Sequence, residues 1–100
     1  MSDNSDKRQS LIDILHQVLP FITADTDMVW TRYENWQQLR DVLQQHIIQI
    51  TNGNLGSLDN LKILMAPTGT LQEHAIQNGW TSQYMQLAEQ FDELCKALNV

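Results

Sequence analysis

Three histidines, one cysteine and a scatter of carboxylates hold the titrating chemistry of this chain. His16, His46 and His74 fall on three separate helical segments, and none has a second His or Cys at ligand spacing. A Cys/His metal centre needs at least three converging ligands, so neither a metal nor a cofactor is expected. Asp13 and His16 are one helical turn apart, where a carboxylate can orient an imidazole; ordinary solvated surface pairs share that spacing. Glu73 and His74 are sequence neighbours and point about 100° apart around a helix, so they form no dyad. His46 lies near the apolar side of its segment and reads as a hydrogen-bonded rim histidine. Cys95 sits beside an apolar stripe with Asp92 and Glu93 close by. Burial and anionic neighbours both suppress a thiolate, the reverse of what a nucleophile needs. No catalytic residue is assigned.

The large aromatic residues are the other candidates. Trp30, Tyr33, Trp36, Trp80 and Tyr84 cluster near the starts of predicted elements rather than in their middles. They read either as a core with amphipathic rims or as a pocket or contact patch, because Trp and Tyr dominate interface hot spots. We take these five as the candidate interaction patch.

Composition narrows the field. One hundred residues make one domain, long enough to bury a core without disulfides or metal. Six basic residues against twelve acidic ones leave a net charge of −6. That field repels nucleic acid and anionic lipid and suits a neutral or basic partner; it also keeps a small domain soluble. The single cysteine forms no internal disulfide, so an oxidising compartment is not implied. The first ten residues, MSDNSDKRQS, lack the apolar centre of a signal peptide. The longest apolar run is four residues, 63–66, far short of a membrane span. A cytoplasmic protein is the expectation.

The elements that must position these side chains read as helices. Residues 1–5 read as a flexible end. From about Asp6, Leu11, Leu15, Val18 and Ile22 share one face, with Ile12 and Leu19 beside them. Pro20 disfavours helix at Leu19, which places the end near Val18. Residues 28–33 are ambiguous: Val29, Thr31 and Tyr33 alternate like a short strand, yet Val29, Tyr33 and Trp36 also fit a helical face. Asn35 and Gln38 resemble a capping pair, which starts the long middle helix at Trp36. Its apolar side is Leu39, Val42, Leu43, Ile47 and Ile50, and Asn52-Gly53 closes it. Ser57 is a plausible cap for a short helix carrying Leu58, Leu61, Leu64 and Met65, which stops before Pro67. Thr70 and Glu73 fit a capping box for a helix over 71–78 that ends at Gly79. In the last helix Tyr84, Leu87, Phe91, Leu94 and Leu98 are spaced 3, 4, 3, 4, with Ala88 and Cys95 flanking and Glu89, Asp92, Glu93 and Lys96 off the stripe.

Thr70, Glu73, Ala75, Gly79, Thr81 and the apolar Trp80 and Met85 partly resemble a helix-turn-helix DNA reader. The resemblance covers about a quarter of the chain. This sequence departs from the pattern at His74 and Asn78, where that motif packs apolar residues, and at bulky Trp80 directly after the glycine. The second helix is acidic, and no Lys or Arg lies between Gly69 and Cys95. DNA affinity rests on cations that release phosphate counterions, so the stretch reads as a helix pair sharing the motif's punctuation.

These readings converge on an all-α fold of four to five helices in a compact single-domain bundle over 6–100, with one possible extended segment near 28–33. The first, middle and last helices form the main layer, braced by two short ones around Pro67. The expected function is a non-catalytic protein–protein interaction module that binds a protein partner, a basic one among the candidates, or a second copy of itself. The alternatives are a small-molecule binder or enzyme with an aromatic-lined pocket and a helix-turn-helix regulator.

Overall fold

The computed structural model describes residues 3–23, 35–56, 58–66 and 69–98, with side chains from Asp6 onward. Among them are five α-helices and one 3-10 turn: α1 (Asp3–Val18), the turn Leu19–Phe21, α2 (Trp36–Thr51), α3 (Leu58–Met65), α4 (Thr70–Asn78) and α5 (Thr81–Leu98). The fold is an all-α bundle. Three predicted features lie outside the described residues: the extended segment near 28–33, the Ser57 cap and the Pro67-Thr68 part of the turn.

Helix α1 is the centre of the packing, with α2 on one side and α5 on the other. Its buried arc is correspondingly wide. Leu11, Ile12, Ile14, Leu15 and Val18 are all removed from solvent, where a helix packed on one side only would need a narrower stripe. The helix begins at Asp3, earlier than the apolar pattern alone requires, because no proline or glycine interrupts the polar lead-in. Pro20 ends it as expected, and the chain tightens into the 3-10 turn.

Arg40 clamps that turn to α2. Its Nη1 donates to the carbonyls of Leu19 at 2.6 Å and Ile22 at 3.1 Å, adding a second donor to Leu19, which also accepts the Ile22 N–H, and satisfying an acceptor just past the helix end. The start of α2 thus meets the end of α1, and its far end approaches Arg8 at Gly53. The two helices run antiparallel. Asn35 caps α2 as predicted, its side-chain oxygen accepting the Gln38 N–H at 2.9 Å. At the other end Gly53 N–H bonds Ile50 and Asn54 N–H bonds Gln49, the paired bonds of a Schellman ending.

The short helices brace the bundle through α3 against α4 and α4 against α5. The corner between them leaves no room for a side chain at Gly69. A Cβ there would stand 2.6 Å from the Ile63 carbonyl oxygen and 2.8 Å from that of Ala66. The predicted Thr70–Glu73 capping box does not form as drawn. Gly69 is the cap residue of α4, without a side-chain cap bond, and Glu73 N–H bonds its carbonyl at 3.0 Å. The helix therefore starts one residue earlier, and the backbone takes the role assigned to the Thr70 hydroxyl.

Candidate functional site

The α4–α5 junction carries the most chemistry per residue. Gly79 adopts the left-handed conformation, φ 79°. Its N–H and that of Trp80 both donate to the Ala75 carbonyl, ending α4. The Trp80 carbonyl then accepts the Tyr84 N–H at 3.0 Å and starts α5. So tight a connection turns the Trp80 side chain inward, where it is 2% exposed.

Four rings meet there. Trp80 stacks on Phe21, centroids 4.5 Å apart and planes 3° from parallel. Tyr84 and His74 meet it edge-on, each with centroids at 5.7 Å. The indole N–H donates to His74 Nδ1 at 3.1 Å, and the Tyr84 hydroxyl donates to the Met65 carbonyl at 2.7 Å. The rings thus tie the 3-10 turn, α3, α4 and α5 into one joint. Burial first, and the Asp92 carboxylate second, push the Tyr84 phenol above its ordinary value. It stays a neutral donor.

Of the five patch residues, Trp80 and Tyr84 are therefore core and offer no surface to a partner. Trp36 is half-buried against the core at the start of α2. Trp30 and Tyr33 lie outside the described residues. His74, the position that breaks the helix-turn-helix pattern, is fully buried, and the indole bond satisfies its Nδ1 there. Asn78 bonds back to the His74 carbonyl at 2.9 Å instead of packing between helices.

The remaining titratable candidates stay apart. Asp13 accepts from Gln9 at 3.1 Å, and His16 is exposed one turn away with no bond to it. His46 is not a rim histidine: it is 7% exposed on the buried face of α2, and its Nδ1 has no hydrogen-bond partner among the described residues. Burial holds its imidazole below the ordinary histidine value. The Cys95 thiol is buried and raised, chiefly by that burial; the Lys62 ammonium opposes the shift and Asp92 adds to it. Among the described residues no three His, Cys, Asp or Glu side chains converge to hold a metal ion.

Outside the core, α5 presents a different face. Met85 is 51% exposed and lines a groove of about 320 Å³ with Met65, Ala88 and Tyr84. Gln72, Gln86, Glu89 and Asp92 form its rim. A shallower depression of about 300 Å³, lined by Gln86, Glu89, Gln90 and Glu93, adjoins it along the same helix. Both share Gln86 and Glu89. A third groove of about 490 Å³ lies where α5 meets the end of α1, between His16, Phe21, Gln83 and Leu87.

The sequence reading missed the groove that Met65 and Met85 line. Met65 falls on the apolar face of its helix and is indeed 4% exposed, so its place at the foot of a groove depends on how α3 meets α5. The one available signal was Met85 itself, which falls off the 84-87-91-94-98 stripe and beside the carboxylates.

No protein-family model, curated protein sequence or solved structure matches this chain. No described helix is long and apolar enough to cross a membrane.

Proposed function

We propose that this chain is a non-catalytic protein-binding module of the cytoplasm. The observation that carries the reading is the outer face of α5, where an exposed methionine and an apolar-floored groove lie among Glu89, Asp92 and Glu93. Exposed apolar surface rimmed by polar residues marks an interaction site more often than a reactive one. The buried thiol and the separated histidines assemble no acid, base and nucleophile within reach of one another, as catalysis of that kind requires.

The same face weighs against the alternatives. An aromatic-lined ligand pocket loses two of its walls when Trp80 and Tyr84 are committed to the core. A recognition helix needs cations toward phosphate, and α5 exposes three carboxylates against the single Lys96. Self-association through α5 fits poorly too, because two such faces would bring like charges together.

The test is affinity purification of the tagged chain from its native cells, with mass spectrometry of whatever accompanies it. A stoichiometric protein lost on charge reversal at Glu89 and Glu93 is the expected result. Recovery of the chain alone, or of a metabolite instead of a protein, overturns the reading.

A further inference from the structure

We propose that the groove beside α5 seats an apolar side chain of a cationic amphipathic helix, with Glu89 and Asp92 receiving the flanking Lys or Arg residues. The inference rests on the protein-binding reading and names the partner's chemistry.

Three observations carry it. The first is the make-up of the groove: Ala88 and the half-exposed Met85 line it, over a floor closed by the buried Met65 and Tyr84. Methionine is unbranched and polarisable and adapts to varied apolar side chains. The groove holds about 320 Å³, room for a side chain of Leu or Phe size rather than for a domain.

The second is charge. Glu89, Asp92 and Glu93 are exposed, and no ion pair or hydrogen bond joins them to another described residue. The cations on this side are Lys96, one turn along α5 from Asp92 and Glu93, and Lys62, whose ammonium and the Asp92 carboxylate act on the same Cys95 thiol. Two ammoniums against three carboxylates still leave the face anionic, so a partner that brings cations is attracted and an acidic one is repelled.

The third is length. Glu89 and Asp92 are three residues apart, hence neighbours on the helix surface about 5–6 Å apart at Cβ. From Met85 to Glu93 the strip runs roughly 12 Å at 1.5 Å per residue. That length matches about two turns of a helix laid along it. A partner helix with an apolar anchor and cations one turn to either side satisfies floor and rim together. A small cation would use the rim and leave the floor empty.

The probe is a peptide of about 18 residues made of Leu and Lys, the leucines on one helical face, long enough to hold helix when bound. A control of equal charge carries Ser for Leu. Each is titrated into the full chain with methyl-labelled methionines at about 0.15 M salt, where distant charge is screened. The Leu/Lys peptide is expected to shift the Met65 and Met85 methyl resonances and to bind at least about tenfold more tightly than the Ser/Lys control. Glu89→Lys with Asp92→Lys, and separately Met85→Ser, should each weaken it by about tenfold, whereas Met85→Leu retains it. These positions lie on the rim, and circular dichroism checks that each variant folds.

Equal binding of the two peptides, binding that leaves both methyl resonances unmoved, or no binding at all overturns the groove assignment. A native partner whose capture survives Glu89→Lys/Asp92→Lys and Met85→Ser also overturns it while leaving the protein-binding reading intact. Capture of nothing from cells fails that reading separately.

Discussion

The indole N–H of Trp80 donates to Nδ1 of His74 across 3.1 Å in the core, where His74 is fully buried and Trp80 nearly so. Indole only donates, so Nδ1 must accept and carries no proton. The bond joins the last turns of α4 to the second residue beyond them. It makes the direction in which α5 leaves the junction depend on a polar contact as well as on packing.

Trp80→Phe keeps an aromatic ring against Phe21 and Tyr84 but removes the donor. The buried Nδ1 then loses a partner it cannot replace from water, at a cost of about 1–3 kcal/mol. His74→Leu orphans the indole instead. In urea unfolding, the double variant is expected to lose less stability than the two single losses added together. Strict additivity would mean that the bond contributes nothing.

The glycines at the ends of α4 fail for different reasons. Gly79→Ala strains a left-handed backbone in open space, where a Cβ meets nothing within 4 Å, and should cost about 1 kcal/mol. Gly69→Ala puts its methyl against three backbone carbonyls of the α3–α4 corner, so the corner must open, at about 1–3 kcal/mol. Thermal unfolding that ranks Gly79→Ala as the worse substitution would contradict this assignment of causes.

How much of this was legible in the sequence follows from which signals are local. The Asn35 cap, the Pro20 stop, the Gly53 and Gly79 endings and the buried spacing of Tyr84, Leu87 and Phe91 depend on one element each, and all appear where expected. Tertiary placement decided the rest. His46 and His74 read as rim and irregularity because a polar residue signals surface until a partner or a packed neighbour is known. Trp80 and Tyr84 read as core with amphipathic rims or as patch, since amphipathic rings serve both, and the tight Gly79 connection is what turns Trp80 inward. The groove residues were hidden for a related reason: Met65 sits on a predicted buried face, and its relation to Met85 exists only once the end of α3 meets α5, where Tyr84 bonds the Met65 carbonyl.

Cys95 should be kinetically silent in the folded chain. Burial raises its thiol and blocks approach together, while alkylation requires an accessible thiolate. Iodoacetamide at about pH 8, below the ordinary thiol value, is expected to label the native chain only through unfolding. The labelling rate should therefore rise with urea in step with the loss of helix. Fast labelling without denaturant would show an exposed thiolate and overturn the burial argument.

His46 makes stability depend on pH, and burial sets the sign. Because burial holds the folded imidazole below its ordinary value of 6.5, the folded chain takes up this proton at a lower pH than the unfolded chain. Well above pH 6.5 both forms are neutral, and the stabilisation from keeping His46 neutral is fully present. As pH falls through 6.5 toward the folded value, the unfolded chain binds a proton that the folded chain refuses. Stability then drops by at most about 1.4 kcal/mol per pH unit. His46→Leu removes the titration and fills a similar volume between α2 and the core. Urea midpoints measured at about pH 7.5, 6.5 and 5.5, a window above the ordinary carboxylate range, should diverge between the two chains only at the acidic end, with the leucine variant flatter. His16 and His74 are present in both chains, so the difference isolates His46, and parallel curves would show that its burial carries no proton linkage.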